Sequence, residues 1–284
     1  MTERTSAPTG NSRFHWMIIA AVLALILTGC SDGPSQSVSL SGSSTVAPLA
    51  QALGSAFEAR HQGIEVDVQA GGSSRGINDA VTELVDIGMA SRALRPDDPP
   101  LNSYTIAHDG ITLITHRDNP VTSLSTEAVQ RIYRGETTNW QELGGPDRPI
   151  VVVHKAEGRS TLELFLEHFK LNNRQVEPDV VIGGNHQGIK TVAGNRGAIG
   201  YVSIGTAQYE ADQGAAIRLL PMGGITPTFE NVAEGRFPLT RPLNLLVKGT
   251  PQEWEKAFID FARSAEARDH VLSHFFVPAN PARR

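Results

Sequence analysis

Residues 38–48 read VSLSGSSTVAP, which combines a short strand pattern, a turn of small hydroxyl residues and the first turn of an apolar repeat. The repeat continues to Arg60 with the spacing of a helix. A helix N-terminus exposes backbone N–H groups and carries about half a positive charge. Glycine lets the backbone come close to a ligand, and serine and threonine add O–H donors. The stretch therefore predicts a strand, turn and helix unit that can hold a small anion.

Two further segments have the same design. Gly71-Gly72-Ser73-Ser74-Arg75-Gly76 follows the alternating pattern of residues 64–68, and Gly158-Arg159-Ser160-Thr161 follows the strand pattern of residues 150–154. Serine and threonine are also ordinary N-cap residues, so a single turn of this kind would carry little weight. Three such turns in one chain favour an oxyanion site.

The order of the predicted elements indicates an α/β fold. Residues 77–84 have the pattern of a helix and residues 85–90 that of a strand, and a helix is predicted over 161–169. Strands that alternate with helices form βαβ units and mainly parallel sheets. Ligands collect at the carboxyl ends of such strands, where all three turns are placed.

Two extended runs predict crossings between two lobes. They cover residues 109–115 and 241–247. We therefore expect lobe I to comprise residues 38–114 plus 241–284, and lobe II residues 115–240. The C-terminal helices from Gln252 onward would return to lobe I.

The N-terminus has the features of an export signal. Arg4 and Arg13 supply positive charge before an apolar run at residues 16–27 that is short for a membrane span. Leu27-Thr28-Gly29-Cys30 resembles the lipobox of bacterial lipoproteins, which implies cleavage after residue 29 and lipidation of Cys30. Residues 30–37 would form a tether. We expect an exported protein, anchored by lipid on the periplasmic or cell-surface side of a bacterial membrane.

The composition and charge of the chain narrow the classes of function that it can have. Loss of residues 1–29 removes one Glu and two Arg and leaves 23 basic and 29 acidic side chains, a formal charge of −6. This charge does not indicate a nucleic-acid partner. Cys30 is the sole cysteine, so no intramolecular disulfide can form. The histidines lack the spacing of a zinc motif, and neither a metal nor a cofactor is expected.

Several segments, in their order and spacing, resemble the phosphate-specific substrate-binding proteins of ABC transporters. The matching segments are SGSSTVAP at 41–48, GGSSRGI at 71–77, DIGMASR at 86–92, GAIGYVSIG at 197–205 and FPLTRPLNLLVKG at 237–249. The resemblance covers essentially the whole chain after the signal. It implies the two-lobed type II periplasmic-binding-protein fold, with a ligand cleft between lobes that are each a mainly parallel sheet flanked by helices. It also implies no catalysis, and partnership with an ABC permease in the cytoplasmic membrane; we expect a monomer.

The resemblance carries over to candidate ligand residues in three turns and one strand end. These candidates are Ser43, Ser44, Thr45, Ser73, Ser74, Arg92, Lys155, Arg159, Ser160 and Thr161. Inorganic phosphate is the expected ligand, and sulfate and molybdate stay open as alternatives. Arg92 would either face the ligand or form a salt bridge across the cleft. Arg75 is expected to be solvated.

This chain departs from the family pattern at two places. The family's Arg-x-x-Gly-Ser-Gly-Thr turn is replaced by Lys155-Ala156-Glu157-Gly158-Arg159-Ser160-Thr161, which exchanges a guanidinium fork for a point charge at its first position. Arg92 stands where some members have an aspartate that accepts the proton of bound phosphate. Asp86 or Asp109 could replace that acceptor.

Two other functions are compatible with parts of the sequence. Gly72-Ser73-Ser74-Arg75-Gly76 fits the G-x-S-x-G elbow of a serine hydrolase, with Ser74 as nucleophile. Asp179 and either His270 or His274 follow in the required order. This interpretation leaves the other two hydroxyl turns unexplained. The second alternative is a lipid-anchored surface sensor that binds an anion without a permease.

Overall fold

The computed structural model describes residues 36–279, together with the isolated Thr2. The predicted signal, Cys30 and most of the tether lie outside the described residues. The described residues form ten strands: β1 Gln36–Gly42, β2 Ile64–Ala70, β3 Ile87–Ala90, β4 Asn102–His116, β5 Val151–Lys155, β6 Val180–Ile182, β7 Ala198–Ser203, β8 Ile217–Leu219, β9 Thr240–Val247 and β10 Val277–Pro278.

Helices alternate with most of these strands, as predicted. They are α1 Ala47–Glu58, α2 Ser73–Val81, α3 Thr126–Tyr133, α4 Ser160–His168, α5 Asn185–Ala193, α6 Ile204–Asp212, α7 Phe229–Ala233, α8 Glu253–Ala262 and α9 Arg268–Ser273. Short 3-10 helices cover Trp140–Leu143 and Asn173–Gln175. Within the described residues, none of the helices has both the length and the apolar character needed to cross a membrane.

The strands form one mixed sheet in the order β2-β1-β3-β9-β4-β7-β5-β6, and β8 and β10 both pair with β4. Two groups within it are parallel: β2-β1-β3 and β7-β5-β6. The central strands β9 and β4 run antiparallel to their neighbours and join the two groups. The α/β architecture with two parallel groups is therefore confirmed.

The apolar core is divided where β4 and β9 cross from one group to the other. The buried residues of one large cluster come from 38–107 and 243–276, and those of the two clusters beyond the crossing come from 111–239. We call residues 36–108 with 242–279 the terminal half and residues 110–240 the central half. Asp109 and Arg241 face each other at the junction as partners in register.

Two element boundaries differ from prediction. Strand β1 begins at Gln36, two residues earlier than predicted, because Gln36 and Ser37 continue the parallel pairing with β2. Helix α2 begins at Ser73 rather than near Ile77. Gly72, at φ 106°, completes the turn by itself, and Ser73 and Ser74 therefore lie in the first helical turn.

Candidate functional site

The hydroxyl residues of the three predicted turns meet at the carboxyl ends of β1, β2 and β5. Ser73 Oγ lies 3.0 Å from Ser160 Oγ, which lies 2.7 Å from Ser91 Oγ. Ser43 Oγ donates to Ser91 Oγ at 2.9 Å. These side chains are almost fully buried. Turns separated by more than 80 residues in the sequence are thus joined by direct hydrogen bonds.

Arg241, on β9, extends this hydroxyl network. Its guanidinium donates to Thr161 Oγ1 at 2.8 Å, to Thr45 Oγ1 at 3.1 Å and to Ser91 Oγ at 3.2 Å. We define the hydroxyl cluster as Ser43, Thr45, Ser73, Ser91, Ser160 and Thr161. The cluster takes residues from both halves, and Arg241 contacts members from each.

Asp109 balances the charge of Arg241. Its Oδ2 accepts from both Nε and Nη2 of Arg241, at 3.1 and 2.9 Å, and its Oδ1 accepts from the backbone N–H of Gly205 at 3.2 Å. Both side chains are only 1% exposed. Burial lowers the pKa of Arg241, and the charge of Asp109 opposes that effect. An arginine remains protonated in proteins, so the pair is ionic.

A second buried basic side chain lies on the other side of Thr45. Lys155 Nζ donates to Asn185 Oδ1 at 2.9 Å, and Asn185 Nδ2 donates to Thr45 Oγ1 at 3.0 Å. Burial lowers the pKa of Lys155 well below its ordinary value, and the nearby positive charges of Arg241 and Arg159 lower it further. A charged lysine without a carboxylate partner is a favourable place for an anion, because the anion would compensate its desolvation.

Arg92 is directed away from the hydroxyl cluster. It donates to Asp98 at 2.5 and 2.9 Å and forms an ion pair with Glu163 at 3.0 Å. The hydrogen bonds between Arg92 and Asp98 are the main cause of two pKa shifts. They raise the pKa of Arg92 and lower that of Asp98. Glu163 lies on α4 in the central half, and Arg92 lies in the terminal half. Of the two predicted roles, the structure places Arg92 in the salt bridge across the halves.

Three other candidates lie at the edge of the cluster. Ser74 Oγ donates to Glu163 at 3.4 Å, and the backbone N–H of Ser74 donates to the carbonyl of Gly158 at 3.2 Å. Ser44 is half-buried. Arg159 packs over Gly72, where an added Cβ would lie 2.9 Å from its Cδ. Burial lowers the pKa of Arg159, and its Nε has no hydrogen-bond partner among the described residues.

Asp86 and Arg75, which the sequence analysis also named, have partners outside the hydroxyl cluster. Asp86 accepts from the backbone N–H and the hydroxyl of Ser39, both at 2.7 Å. Asp86 precedes β3 and so lies at the opposite end of the strands from the cluster. Of the two candidate acceptors for the ligand proton, only Asp109 is therefore within the site. Arg75 is half-exposed and pairs with Asp79.

The hydrolase arrangement is not assembled around Ser74. Within residues 36–279 no hydrogen bond joins Ser74 to a histidine, and its hydroxyl contacts Glu163 instead. Asp179 accepts from the backbone N–H of Val152, and the ring of His274 contacts the carbonyl of His270. No group of three potential metal ligands among histidine, cysteine and acidic residues occurs in the described part of the chain.

Ser91, Arg241 and Asn185 are the site residues that sequence analysis did not single out. Ser91 directly follows β3 and precedes the candidate Arg92. The signal for Arg241 was its position as the lone charged residue in the run TRPLNLLV of β9. Asn185 begins α5 after Gly183-Gly184, so a fourth strand, glycine and helix segment was present in the sequence. Without hydroxyl residues, this segment did not match the pattern of the other three.

Comparison with known proteins agrees with this architecture. Residues 28–266 match the family described as PBP superfamily domain. A solved structure from Clostridium perfringens, described as a phosphate ABC transporter substrate-binding protein with bound phosphate, is 34% identical; the match covers 86% of this chain and 100% of that one, with a TM-score of 0.80.

Two further relatives extend the comparison. An ABC-type phosphate transport receptor from Vibrio cholerae is 29% identical over 84% of this chain and 99% of that one, with a TM-score of 0.69. The phosphate-binding protein PstS of Bacillus subtilis is 27% identical over 84% of this chain and 79% of its own length. By sequence and by fold, the chain belongs to the PBP superfamily, and the type II periplasmic-binding-protein architecture that its motifs implied is confirmed.

Proposed function

We propose that this protein captures inorganic phosphate, or a similar tetrahedral oxyanion, between its two halves and delivers it to an ABC permease. The observation that carries the proposal is the convergence of the hydroxyl cluster on Arg241, with Lys155 on the other side of Thr45. Neutral O–H donors and two buried cations can together replace the water shell of an anion. Relatives named for phosphate binding support this choice of ligand.

The proposed ligand residues are the hydroxyl cluster, Lys155 and Arg241. Ser44, Ser74 and Arg159 would contribute at the rim, and Arg92 would act by holding the halves together rather than by touching the ligand. In this proposal the predicted lobes, 38–114 plus 241–284 and 115–240, become the two halves, with residues 110–114 moved to the central half because their buried side chains pack there. The halves would close by bending where β4 and β9 cross. The protein would act as a monomer and without catalysis.

Calorimetric titration of the purified protein with phosphate tests the proposal. Binding tighter than the millimolar range is expected. Ser73→Ala and Thr45→Val should each weaken binding by about 1–3 kcal/mol, because a charged acceptor loses its donor. Ser55→Ala is the control, since Ser55 is exposed on α1. Absence of phosphate binding, or unchanged affinity in both site variants, would contradict the proposal.

Two accompanying proposals have separate tests. The first is export with a lipid on Cys30; Cys30→Ala should move the protein from the membrane fraction to the soluble exported fraction. The second is the absence of ester hydrolysis. Turnover of an activated ester by the wild type that disappears in Ser74→Ala would favour the hydrolase instead.

A further inference from the structure

A series of hydrogen bonds leaves the end of β5 and returns to the loop that follows it. The backbone N–H of Lys155 donates to the hydroxyl of Tyr201 at 3.2 Å, and that hydroxyl lies 3.0 Å from Nδ1 of His154. The other ring nitrogen, Nε2, lies 2.9 Å from Oδ1 of Asn173, and Asn173 Nδ2 donates to the carboxylate of Glu157 at 3.3 Å. We call Tyr201, His154 and Asn173 the relay. It connects Lys155 to a residue only two positions further along the chain.

The positions of the protons along the relay follow from its donors and acceptors. A tyrosine hydroxyl has one proton, and an unpaired buried O–H is costly. Tyr201 accepts from Lys155, so its own proton is directed to His154 Nδ1, the other partner of that hydroxyl among the described residues. A neutral histidine carries one N–H, so Nε2 is the donor, and Asn173 Oδ1 accepts from it. All the hydrogen bonds of the relay then run in one direction, from Lys155 to Glu157.

The surroundings of the relay favour this arrangement. His154 and Tyr201 are only 4% and 1% exposed. Burial lowers the pKa of His154, and the hydrogen bond to Asn173 opposes that effect. The ring of Phe165, on α4, stacks on the ring of Tyr201 with 3.7 Å between their centroids and 4° between their planes. The Tyr201 hydroxyl is thus held at one place by the packing of its ring.

The relay bears on the anion site through Lys155. The side chain of Lys155 donates to Asn185, which in turn donates to Thr45 of the hydroxyl cluster. A lysine is a point charge on a flexible stem, so where its charge lies depends on how firmly its backbone is held. The same loop continues into α4, which begins with Ser160 and Thr161 of the cluster.

We propose that His154 and Tyr201 are positioning residues of the anion site, and that the relay holds the loop after β5 in the conformation that directs Lys155 to the ligand. This inference rests on the proposed function and names residues that support its site. Among the described residues, neither His154 nor Tyr201 has a hydrogen bond to the hydroxyl cluster. Their effect on affinity comes from preorganisation, because a loop already held in its binding conformation loses less entropy when the ligand binds.

Calorimetric titration of two tyrosine variants with inorganic phosphate tests the inference. Tyr201→Phe keeps the stacked ring and removes the hydroxyl, and we expect it to weaken phosphate binding about three- to tenfold. Tyr133→Phe is the matched control. The ring of Tyr133 lies 5.8 Å from that of Tyr201, and its hydroxyl contacts the carbonyl of Val153 outside the relay. A merely structural role would lower the stability of both variants without changing affinity. Unchanged affinity in Tyr201→Phe, or equal losses in both variants, would overturn the inference.

A second pair of variants acts at the exposed end of the relay, where folding is not at risk. Glu157 is exposed, and both Glu157→Ala and Glu157→Gln remove its negative charge. Only the glutamine keeps an acceptor for Asn173. The two variants therefore change the charge near the anion equally and differ in the relay. We expect Glu157→Gln to bind phosphate about two- to fivefold more tightly than Glu157→Ala. Equal affinities of this pair would overturn the inference.

The direction of the relay has its own test. NMR chemical shifts of the His154 ring nitrogens in the wild-type protein show which of them carries the proton, and we expect it on Nε2. A proton on Nδ1 would leave the Tyr201 hydroxyl without an acceptor and would overturn the inference. The outcomes also separate the two proposals. Absence of phosphate binding by the wild type would refute the proposed function and the inference with it, whereas wild-type binding with unaffected relay variants would overturn the inference alone.

Discussion

Arg241 and Asp109 are partners in register on β9 and β4 at the point where the chain passes between the two halves. The guanidinium that pairs with Asp109 also donates to Thr45 in the terminal half and to Thr161 in the central half. An anion that contacts Arg241 would therefore act at the junction itself. In the proposed function, ligand recognition and the junction between the halves would share one buried side chain.

The first prediction concerns this ion pair. Arg241→Met should lower the free energy of unfolding by about 3–5 kcal/mol, because Asp109 would be left as an uncompensated buried charge. The double variant Arg241→Met with Asp109→Asn should recover most of that loss, since neither charge remains. Urea unfolding of the single and double variants measures both effects. A single variant as stable as the wild type would show that the pair is solvated in solution.

The second prediction concerns the stability of the protein without ligand. Lys155→Met should raise the free energy of unfolding by about 1–4 kcal/mol, because a buried charge is replaced by an apolar side chain of similar size. The pKa of Lys155 is lowered in the folded state from the ordinary value of 10.5. Between that lowered pKa and 10.5 the unfolded chain holds a proton that the folded protein has lost, so wild-type stability rises with pH in this window.

The advantage of Lys155→Met should therefore be largest at low pH and shrink as the pH approaches 10.5. Thermal unfolding of both proteins across this range is the measurement. The same variant should bind phosphate more weakly, since the ligand loses one of its two buried cations. A variant with lower stability and unchanged phosphate affinity would mean that Lys155 has a packing role instead.

The third prediction compares the two ion pairs of Arg92, the one that joins the halves and the one within the terminal half. Glu163→Gln removes the partner that the central half offers to Arg92 and Arg95. We expect the phosphate dissociation rate to rise about three- to tenfold, because loss of such a pair acts mainly on dissociation.

Asp98→Asn is the matched control for Glu163→Gln. Asp98 also pairs with Arg92, and both residues lie within the terminal half. The Asp98→Asn substitution should change the free energy of unfolding more than it changes the phosphate dissociation rate. Stopped-flow measurement of phosphate release distinguishes the two variants, and equal dissociation rates for them would argue against a role of Glu163 in holding the halves closed.

Local sequence patterns predicted the features of this fold that depend on neighbouring residues. The turn at Ser41-Gly42-Ser43 and the helix that follows it are specified by glycine, hydroxyl residues and helical spacing within a few positions. The contacts of Arg241 depend on residues as far as 196 positions away, which no local pattern contains. Asn185 also joins the site only when α5 reaches Thr45, 140 positions earlier.

The final prediction tests how α2 places Ser73 in the site. Gly76 lies inside this helix, where glycine is less favourable than alanine by about 1 kcal/mol. A Cβ on Gly76 would lie 2.5 Å from the carbonyl oxygen of Met89 and 2.7 Å from that of Ser41, so the helix can approach β1 and β3 this closely only without a side chain. The approach brings the Ser73 hydroxyl to 3.1 Å from the backbone N–H of Ser91.

Gly76→Ala should therefore lower the free energy of unfolding by about 1–3 kcal/mol despite its better helix propensity, because the new methyl group forces α2 away from the sheet. Phosphate affinity should fall as well, since Ser73 moves with the helix. Asn78→Ala is the control, because Asn78 is exposed on the same helix and the substitution improves helix propensity without a clash. If chemical denaturation and calorimetry show that Gly76→Ala is as stable as Asn78→Ala and binds phosphate as tightly, close packing of α2 does not position Ser73.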